Sequence, residues 1–179
     1  MACVWLCTDW HLTHKNMALK YRTGFSSIEE HDDYFIQAWK SNVTKRDKVI
    51  CLGDMATSAR GISILRTLPA EQKHLILGNH DLDSDCTIED LMLTFSKITG
   101  PTRYKEFWLT HFPIHESELR GKINIHGHIH GELIDDPRYV NLCPEVLERV
   151  HGKPIIKLQD LRQLINSGDY YERQFVEWN

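Results

Sequence analysis

Five short polar motifs in this sequence each follow an apolar run of the kind that forms a β-strand. The runs cover residues 3–8, 48–52, 74–77, 106–110 and 122–126. The motifs are Asp9-Trp10-His11, Gly53-Asp54, Gly78-Asn79-His80-Asp81, Thr110-His111 and Gly127-His128-Ile129-His130. Side chains at the carboxyl ends of strands converge on one edge of a sheet, where α/β proteins hold their ligands. The sequence therefore predicts an α/β fold with one polar site at the strand ends.

Helix signals alternate with the strands in the first half of the chain. Ser26 and Ser27, followed by Glu29 and Glu30, are typical of a helix start and predict a helix over residues 26–42. Further helices are predicted over 57–68, 83–97 and 159–166, and further strands over 102–110, 139–142 and 154–158. Alternating elements followed by a strand-rich half predict layers of sheet covered by helices.

Composition limits the class of protein. A chain of 179 residues that is 41% hydrophobic can bury one substantial core, so we expect a single domain over residues 1–179. The net charge of −4 provides no general attraction to nucleic acid. The N-terminal apolar run ends at Asp9, unlike a signal peptide, and no run approaches the ~20 residues of a membrane span. Five cysteines without CxxC spacing favour a reduced, cytoplasmic protein.

The motifs supply seven potential metal ligands that are carboxylate, imidazole or amide-oxygen groups. They are Asp9, His11, Asp54, Asn79, His111, His128 and His130. Such donors, without thiolate, suit Mn²⁺, Fe²⁺, Zn²⁺, Co²⁺ or Ni²⁺. Seven ligands are too many for one ion that keeps positions open, but they suit two ions ~3.5–4 Å apart. Two carboxylates supply two negative charges, whereas two divalent ions supply four positive charges. The site is therefore net positive, which favours an anionic substrate such as a phosphate ester.

In this order the motifs resemble those of the calcineurin-like metallophosphoesterases, which read D-x-H, GD, GNH-D/E, H and GHxH. The resemblance runs from the first strand to about residue 142, and is greatest for the small single-domain bacterial and phage members. These carry H-x-N after the first motif and H-G-H-x-H-G at the fifth, which His14-Lys15-Asn16 and residues 126–131 match. The resemblance implies a four-layer α/β/β/α sandwich, with two mixed β-sheets flanked by helices and the metal site at the strand C-terminal edge.

The resemblance also implies roles for individual residues. Asp9, His11 and His130 would hold one ion, Asn79, His111 and His128 the other, and Asp54 would bridge them. Two divalent ions, Mn²⁺ first among the candidates, would provide a bridging hydroxide that attacks phosphorus. His80 would aid the leaving oxygen, and Asp81 would orient His80.

Substrate contacts are predicted in the loop that follows the first motif. His14, Asn16 and Arg22 are candidates for phosphate contact, with a solvated loop as the alternative reading for each. Trp10, between two ligands, is a candidate flat surface for a base. We expect a small phosphorylated substrate, nucleotide-like or an RNA end, and no membrane partner. Whether it is a monoester or a diester stays open.

Two other functions remain alternatives. A nuclease or RNA-end-processing phosphatase would use the same chemistry, although the negative net charge disfavours a long duplex. A non-catalytic metal-binding scaffold would be expected to lose His80 or part of the ligand set, and this sequence keeps all of it.

Overall fold

Two mixed β-sheets form the centre of the fold in the computed structural model, which describes residues 2–22, 24–83 and 86–176. The strands are β1 (Val4–Cys7), β2 (Lys48–Cys51), β3 (Gln72–Ile76), β4 (Lys97–Thr99), β5 (Thr102–Tyr104), β6 (Phe107–Leu109), β7 (Ile123–His126), β8 (Tyr139–Asn141) and β9 (Ile156–Lys157). The first sheet has the order β4-β3-β2-β1-β9, and the second β5-β6-β7-β8. All neighbouring strands are parallel except the β1–β9 and β5–β6 pairs.

Six α-helices accompany the sheets in the described part of the chain. They are α1 (Ile28–Asn42), α2 (Ala59–Thr67), α3 (Ile88–Thr94), α4 (Pro144–His151), α5 (Leu158–Ser167) and α6 (Asp169–Gln174). Hydroxyl side chains define three helix starts. Ser27 accepts from Glu30 N, Ser58 from Gly61 N, and Thr87 forms a capping box with Asp90. A π-helix over Met17–Tyr21 and a 3-10 turn over Glu116–Glu118 complete the set.

The first sheet is buried on both faces because successive residues of its strands point into different cores. Trp5 and Cys7 of β1 join a cluster with residues of α1 and α2, whereas Leu6 joins a second cluster. That second cluster contains Phe107 and Ile125 of the second sheet, together with residues of α4, α5 and α6. The predicted fold class, two mixed sheets flanked by helices, is confirmed.

Several element boundaries differ from the predictions. The helix predicted over 83–97 runs only over Ile88–Thr94, because the Thr87 capping box sets its start, and β4 follows it. Ser84 and Asp85 of that prediction lie outside the described residues. Helices α4 and α6 and the π-helix were not predicted. None of the described helices combines the length and apolar character needed to cross a bilayer.

Candidate metal centre

The predicted ligands lie in loops at strand ends, and many of these loops have an unusual backbone. Five of the seven residues have left-handed φ angles: Asp9 (53°), His11 (51°), Asp54 (51°), His128 (70°) and His130 (48°). Only a few per cent of non-glycine residues adopt this conformation, although Asp and His tolerate it better than most. Such conformations cluster where a binding site requires a particular side-chain direction.

The first group of ligands comprises Asp9, His11 and His130, whose ligand atoms lie within 4.8 Å of one another. Asp9 Oδ2 accepts from Thr8 Oγ1 at 2.6 Å and from His128 N at 3.0 Å. Asp9 Oδ1 and His11 Nε2, 3.7 Å apart, are both buried without a hydrogen-bond partner among the described residues. Two buried polar atoms of ligand type that face each other in this way are well suited to a shared cation.

Electrostatics keeps Asp9 and His11 of this group in the protonation states that metal binding requires. Burial raises the pKa of Asp9, but the imidazoles of His11 and His111 lower it by a larger amount. The net pKa of Asp9 therefore lies below the ordinary carboxyl range. Burial also lowers the pKa of His11, and this outweighs the opposing effect of Asp9. An ionised carboxylate therefore stands beside a neutral imidazole, and both are competent ligands.

The second group comprises Asp54, His111 and His128, and Asn79 extends it. His111 Nδ1 donates to the Leu52 carbonyl at 2.8 Å, so Nε2 faces Asp54 Oδ2 at 3.2 Å and Asn79 Oδ1 at 3.0 Å. Burial lowers the pKa of His111, but Asp54 and Asp9 raise it more, to about 9. His111 Nε2 thus faces two oxygen ligand atoms, and a metal cation bound there would take the place of its proton.

Three glycines of the motifs make room for ligand side chains, two of them carboxylates and one an imidazole. A Cβ on Gly78 would lie 2.1 Å from Asp54 Oδ1, and one on Gly127 would lie 2.1 Å from Asp9 Oδ2. Gly53, at φ +100°, would place a Cβ 2.6 Å from His111 Nδ1. Each contact is far inside van der Waals distance, so these positions require glycine for the ligands to adopt their observed directions.

Asp81 does not orient His80, contrary to the prediction. Asp81 is fully buried, and its carboxylate accepts from Gly78 N at 2.7 Å and Met55 N at 3.3 Å. The Asp81 carboxyl thus holds the motif loop together, and burial followed by repulsion from Asp54 raises its pKa to about 6. The partner of the His80 ring is Asp83, whose Oδ2 lies 2.5 Å from His80 Nδ1.

Arg22 does not face a substrate either. It is buried, its Nε donates to Glu145 Oε1 at 2.9 Å, and its terminal nitrogens donate to the carbonyls of Trp10 and Asp9. Trp10 is fully buried and packs against Phe35, so it offers no surface to a base. Both predictions are wrong because these side chains turn inward and support the loop that carries Asp9.

Glu145 is a site residue that the sequence analysis missed. Its Oε1 accepts from Arg22 Nε and also from His130 Nδ1, at 3.3 Å, which leaves the other ring nitrogen of His130 for a metal. Burial raises the pKa of Glu145, but His130 and Arg22 lower it to about 2. Glu145 lies in the first turn of α4, a helix that was not predicted, and no local motif marks it.

His14 and Asn16, the remaining predicted substrate contacts, line an open cleft beside the metal ligands. The cleft has a volume of about 500 Å³, and its walls consist of Thr13, His14, Lys15, Asn16, Thr57, His80 and Asp83. His14 Nδ1 accepts from Met17 N at 3.0 Å, which fixes its ring near His11. The structure thus brings His14, Asn16 and His80 to one cavity.

Comparison with known proteins decides the family. Residues 4–176 match the calcineurin-like phosphoesterases. The chain belongs to this family. Membership makes the protein a metal-dependent hydrolase that acts on ester bonds. In each of the two ligand groups of this phosphoesterase, the ligand atoms are close enough together to hold a metal ion.

Relatives of this phosphoesterase occur in phages and archaea. The Gene 66 protein of Mycobacterium phage L5 is 31% identical over 168 residues, which is 75% of this chain and 80% of that protein. An uncharacterized protein of Methanocaldococcus jannaschii is 30% identical over 146 residues, 79% of this chain and 77% of the relative. A crystal structure of a protein of unknown function from Aquifex aeolicus shares the fold, with a TM-score of 0.66 at 22% identity over 92% of this chain and 100% of that one.

Proposed function

We propose that the protein is a dinuclear phosphoesterase that hydrolyses a small, nucleotide-like phosphate ester. The observation that carries the proposal is the pair of ligand groups, Asp9 with His11 and His130, and Asp54 with His111 and His128. Each group contains one carboxylate and two imidazoles. One such group would hold a single ion, and two of them with Asn79 support the binding of two.

The residues fit two divalent cations on chemical grounds. The unpartnered Asp9 Oδ1 and His11 Nε2 would gain a partner in the first site, and His111 Nε2 would exchange its proton for the ion in the second. By the family resemblance Asp54 would bridge the two ions, and its Oδ2 lies 3.2 Å from His111 Nε2 of the second group. When bound, two such ions activate water at neutral pH and neutralise phosphate oxygens, and Mn²⁺ is the candidate we favour.

The chain's own residues would bind the ester and handle its leaving group. Hydrolysis joins a water oxygen to phosphorus and breaks the bond to the ester oxygen, which then takes up a proton. His80 lies on the cleft wall with its side chain 42% exposed, and its ring contacts that of His11. From there His80 would protonate the leaving oxygen, while His14 and Asn16 would contact the phosphate or its substituent.

An exposed aromatic residue supports a substrate with a flat organic group. Phe112 directly follows His111, its ring is 4.2 Å from that of His128 between centroids, and it is 46% exposed. Phe112, and not the buried Trp10, therefore presents an apolar face beside the second ligand group. A nucleobase or an aryl group on a bound phosphate could stack there.

Assays on three substrates test the reaction. With Mn²⁺ present, we expect turnover of an aryl phosphodiester or a nucleotide, and slower turnover of an oligonucleotide, because the chain carries a net charge of −4. His80→Ala should lower turnover by about 10²–10⁴-fold with metal content unchanged. A protein that loads metal but hydrolyses none of these esters would contradict the proposal.

A second variant tests the substrate class. Phe112→Ala should raise KM for a nucleotide substrate several-fold and leave KM for a methyl phosphate ester unchanged, since stacking contributes about 1–3 kcal/mol per base. Phe175→Ala provides a control, because Phe175 is similarly exposed at 44% but pairs with Tyr171 on the last helix. Equal KM changes for both substrates would contradict a stacking role.

A further inference from the structure

We propose that Asp83 is the positioning residue for His80, and that it fixes which ring nitrogen of His80 faces the substrate cleft. The inference rests on the proposed function, because it assigns His80 the leaving-group role described above. It names a carboxylate that neither the sequence motifs nor the family match identifies.

The contact between the two side chains is short and local. His80 Nδ1 lies 2.5 Å from Asp83 Oδ2, and Asp83 N donates to the His80 carbonyl at 3.2 Å. This main-chain bond closes a turn that presents the carboxylate to the ring. The His80 amide donates to Asp54 Oδ1 at 2.8 Å, which anchors the other side of the residue. The backbone of His80 is thus tied to one ligand group while its ring is held by Asp83.

The direction of the hydrogen bond determines the tautomer. A carboxylate oxygen accepts, so Nδ1 carries the hydrogen and Nε2 is left for the opposite side of the ring. That ring forms part of the wall of the cleft that also contains His14 and Asn16. With Nδ1–H committed to Asp83, the protonated ring carries its second hydrogen on Nε2, gives that proton to the leaving oxygen, and becomes the neutral Nδ1–H form. Without Asp83 the ring could rotate and change tautomer.

Among the described residues, Asp81 and Asp54 are the other carboxylates beside this turn, and both have different partners. Asp81 is committed to the amides of Gly78 and Met55. Asp54 accepts from the His80 backbone and faces His111. Asp83, by contrast, is 52% exposed on the cleft wall and contacts the ring directly. Because both partners are exposed, the pair contributes little to folding, and its effect should appear in the reaction.

A double-mutant cycle with two leaving groups tests the assignment. The variants are Asp83→Ala, Asp83→Asn, His80→Ala and the double variant Asp83→Ala with His80→Ala. We expect Asp83→Ala to lower kcat on an ester with a poor leaving group by about 10- to 100-fold, the usual effect of losing an outer partner, with KM unchanged. The loss should be much smaller on an activated aryl ester. The kcat of Asp83→Asn should lie between those of Asp83→Ala and the wild type, because the asparagine amide oxygen can still accept a hydrogen bond from the ring.

Non-additivity separates positioning from a structural effect. When His80 is already alanine, removal of Asp83 should lower kcat no further. If Asp83→Ala instead damaged the loop, it would lower kcat by the same factor with or without His80. Glu89→Gln is the matched control, because Glu89 is an exposed carboxylate in the first turn of the neighbouring helix. It should leave all rates unchanged.

A spectroscopic measurement needs no turnover. The ¹⁵N shifts of the His80 ring, assigned by comparison with His80→Ala, should report an Nδ1–H tautomer in the wild type and a mixture in Asp83→Ala. An unchanged tautomer in Asp83→Ala, or additive rate losses in the cycle, would overturn the inference. If no phosphate ester is hydrolysed by the wild type, the proposed function fails, while the tautomer measurement still judges the role of Asp83.

Discussion

Asp54 belongs to the second ligand group, and its two oxygens have different partners. Oδ1 accepts from the His80 amide at 2.8 Å, and Oδ2 lies 3.2 Å from His111 Nε2. Burial raises the pKa of Asp54, but hydrogen bonding and the charge of His111 lower it more, so the carboxylate stays ionised. Asp54 therefore supplies a fixed negative charge to the second ligand group, and in the proposed function it bridges two cations.

Asp54→Asn should abolish activity and weaken metal binding, because it removes that charge without changing the shape of the side chain. The loss of activity should exceed roughly 100-fold, which is the usual upper effect of removing a residue that only supports a metal ligand. Metal content after dialysis and initial rates on an aryl ester are the measurements. Asp33→Asn, at an exposed position on α1, is the control. Full metal content with near-native rates in Asp54→Asn would show that Asp54 does not bridge.

Arg22 joins Glu145 to the carbonyls of Asp9 and Trp10, so its removal should affect stability before substrate binding. We expect Arg22→Ala to lower the free energy of unfolding by about 2 to 4 kcal/mol, between the cost of an unsatisfied acceptor and that of a broken buried ion pair. Urea unfolding of the metal-free protein measures it. Arg103→Ala, an exposed arginine over Trp108, should cost much less. Equal losses would mean that the buried network contributes nothing specific.

At the scale of elements, the loops after β3 and β7 depend on glycine for close approach to carboxylates. Gly127→Ala should lower metal affinity and activity by about 10-fold or more, because its Cβ would lie 2.1 Å from Asp9 Oδ2 and must displace that carboxylate. Gly131→Ala is the matched control in the same loop, since its added Cβ meets nothing within 4 Å. Far-UV circular dichroism should be native in both variants. A Gly127→Ala protein with native metal affinity would show that the loop can relax.

Elements with strong local signals were predictable, and those fixed by distant contacts were not. The helix after Ser27 and the strands before each motif follow from local pattern, and the structure confirms them. Helix α4 was missed, since it is only eight residues long and begins at Pro144. Its omission concealed Glu145, whose bond to Arg22 spans 123 positions. Without Glu145 in view, the sequence alone does not distinguish an arginine that binds a buried carboxylate from one that contacts phosphate.

At the scale of the whole molecule, each ligand group draws on both sheets. The loop after β1 provides Asp9 and His11, whereas His130 follows β7 of the second sheet. Asp54 follows β2 of the first sheet, whereas His111 and His128 follow β6 and β7 of the second. Bound cations would therefore link the two sheets at their common edge, in addition to the apolar cluster between them.

Metal binding should accordingly stabilise the folded protein in two steps. A ligand that binds only the native state at 100 times its Kd adds about 2.7 kcal/mol, so two sites of that affinity would add twice as much. We expect calorimetric titration of the chelator-treated protein with Mn²⁺ to give two ions per chain, and Tm to rise with free metal. His130→Ala should remove the first site and His111→Ala the second, each leaving one ion bound. A stoichiometry of one in the wild type, or a Tm independent of metal, would show that the ligands do not form two ion sites linking the sheets.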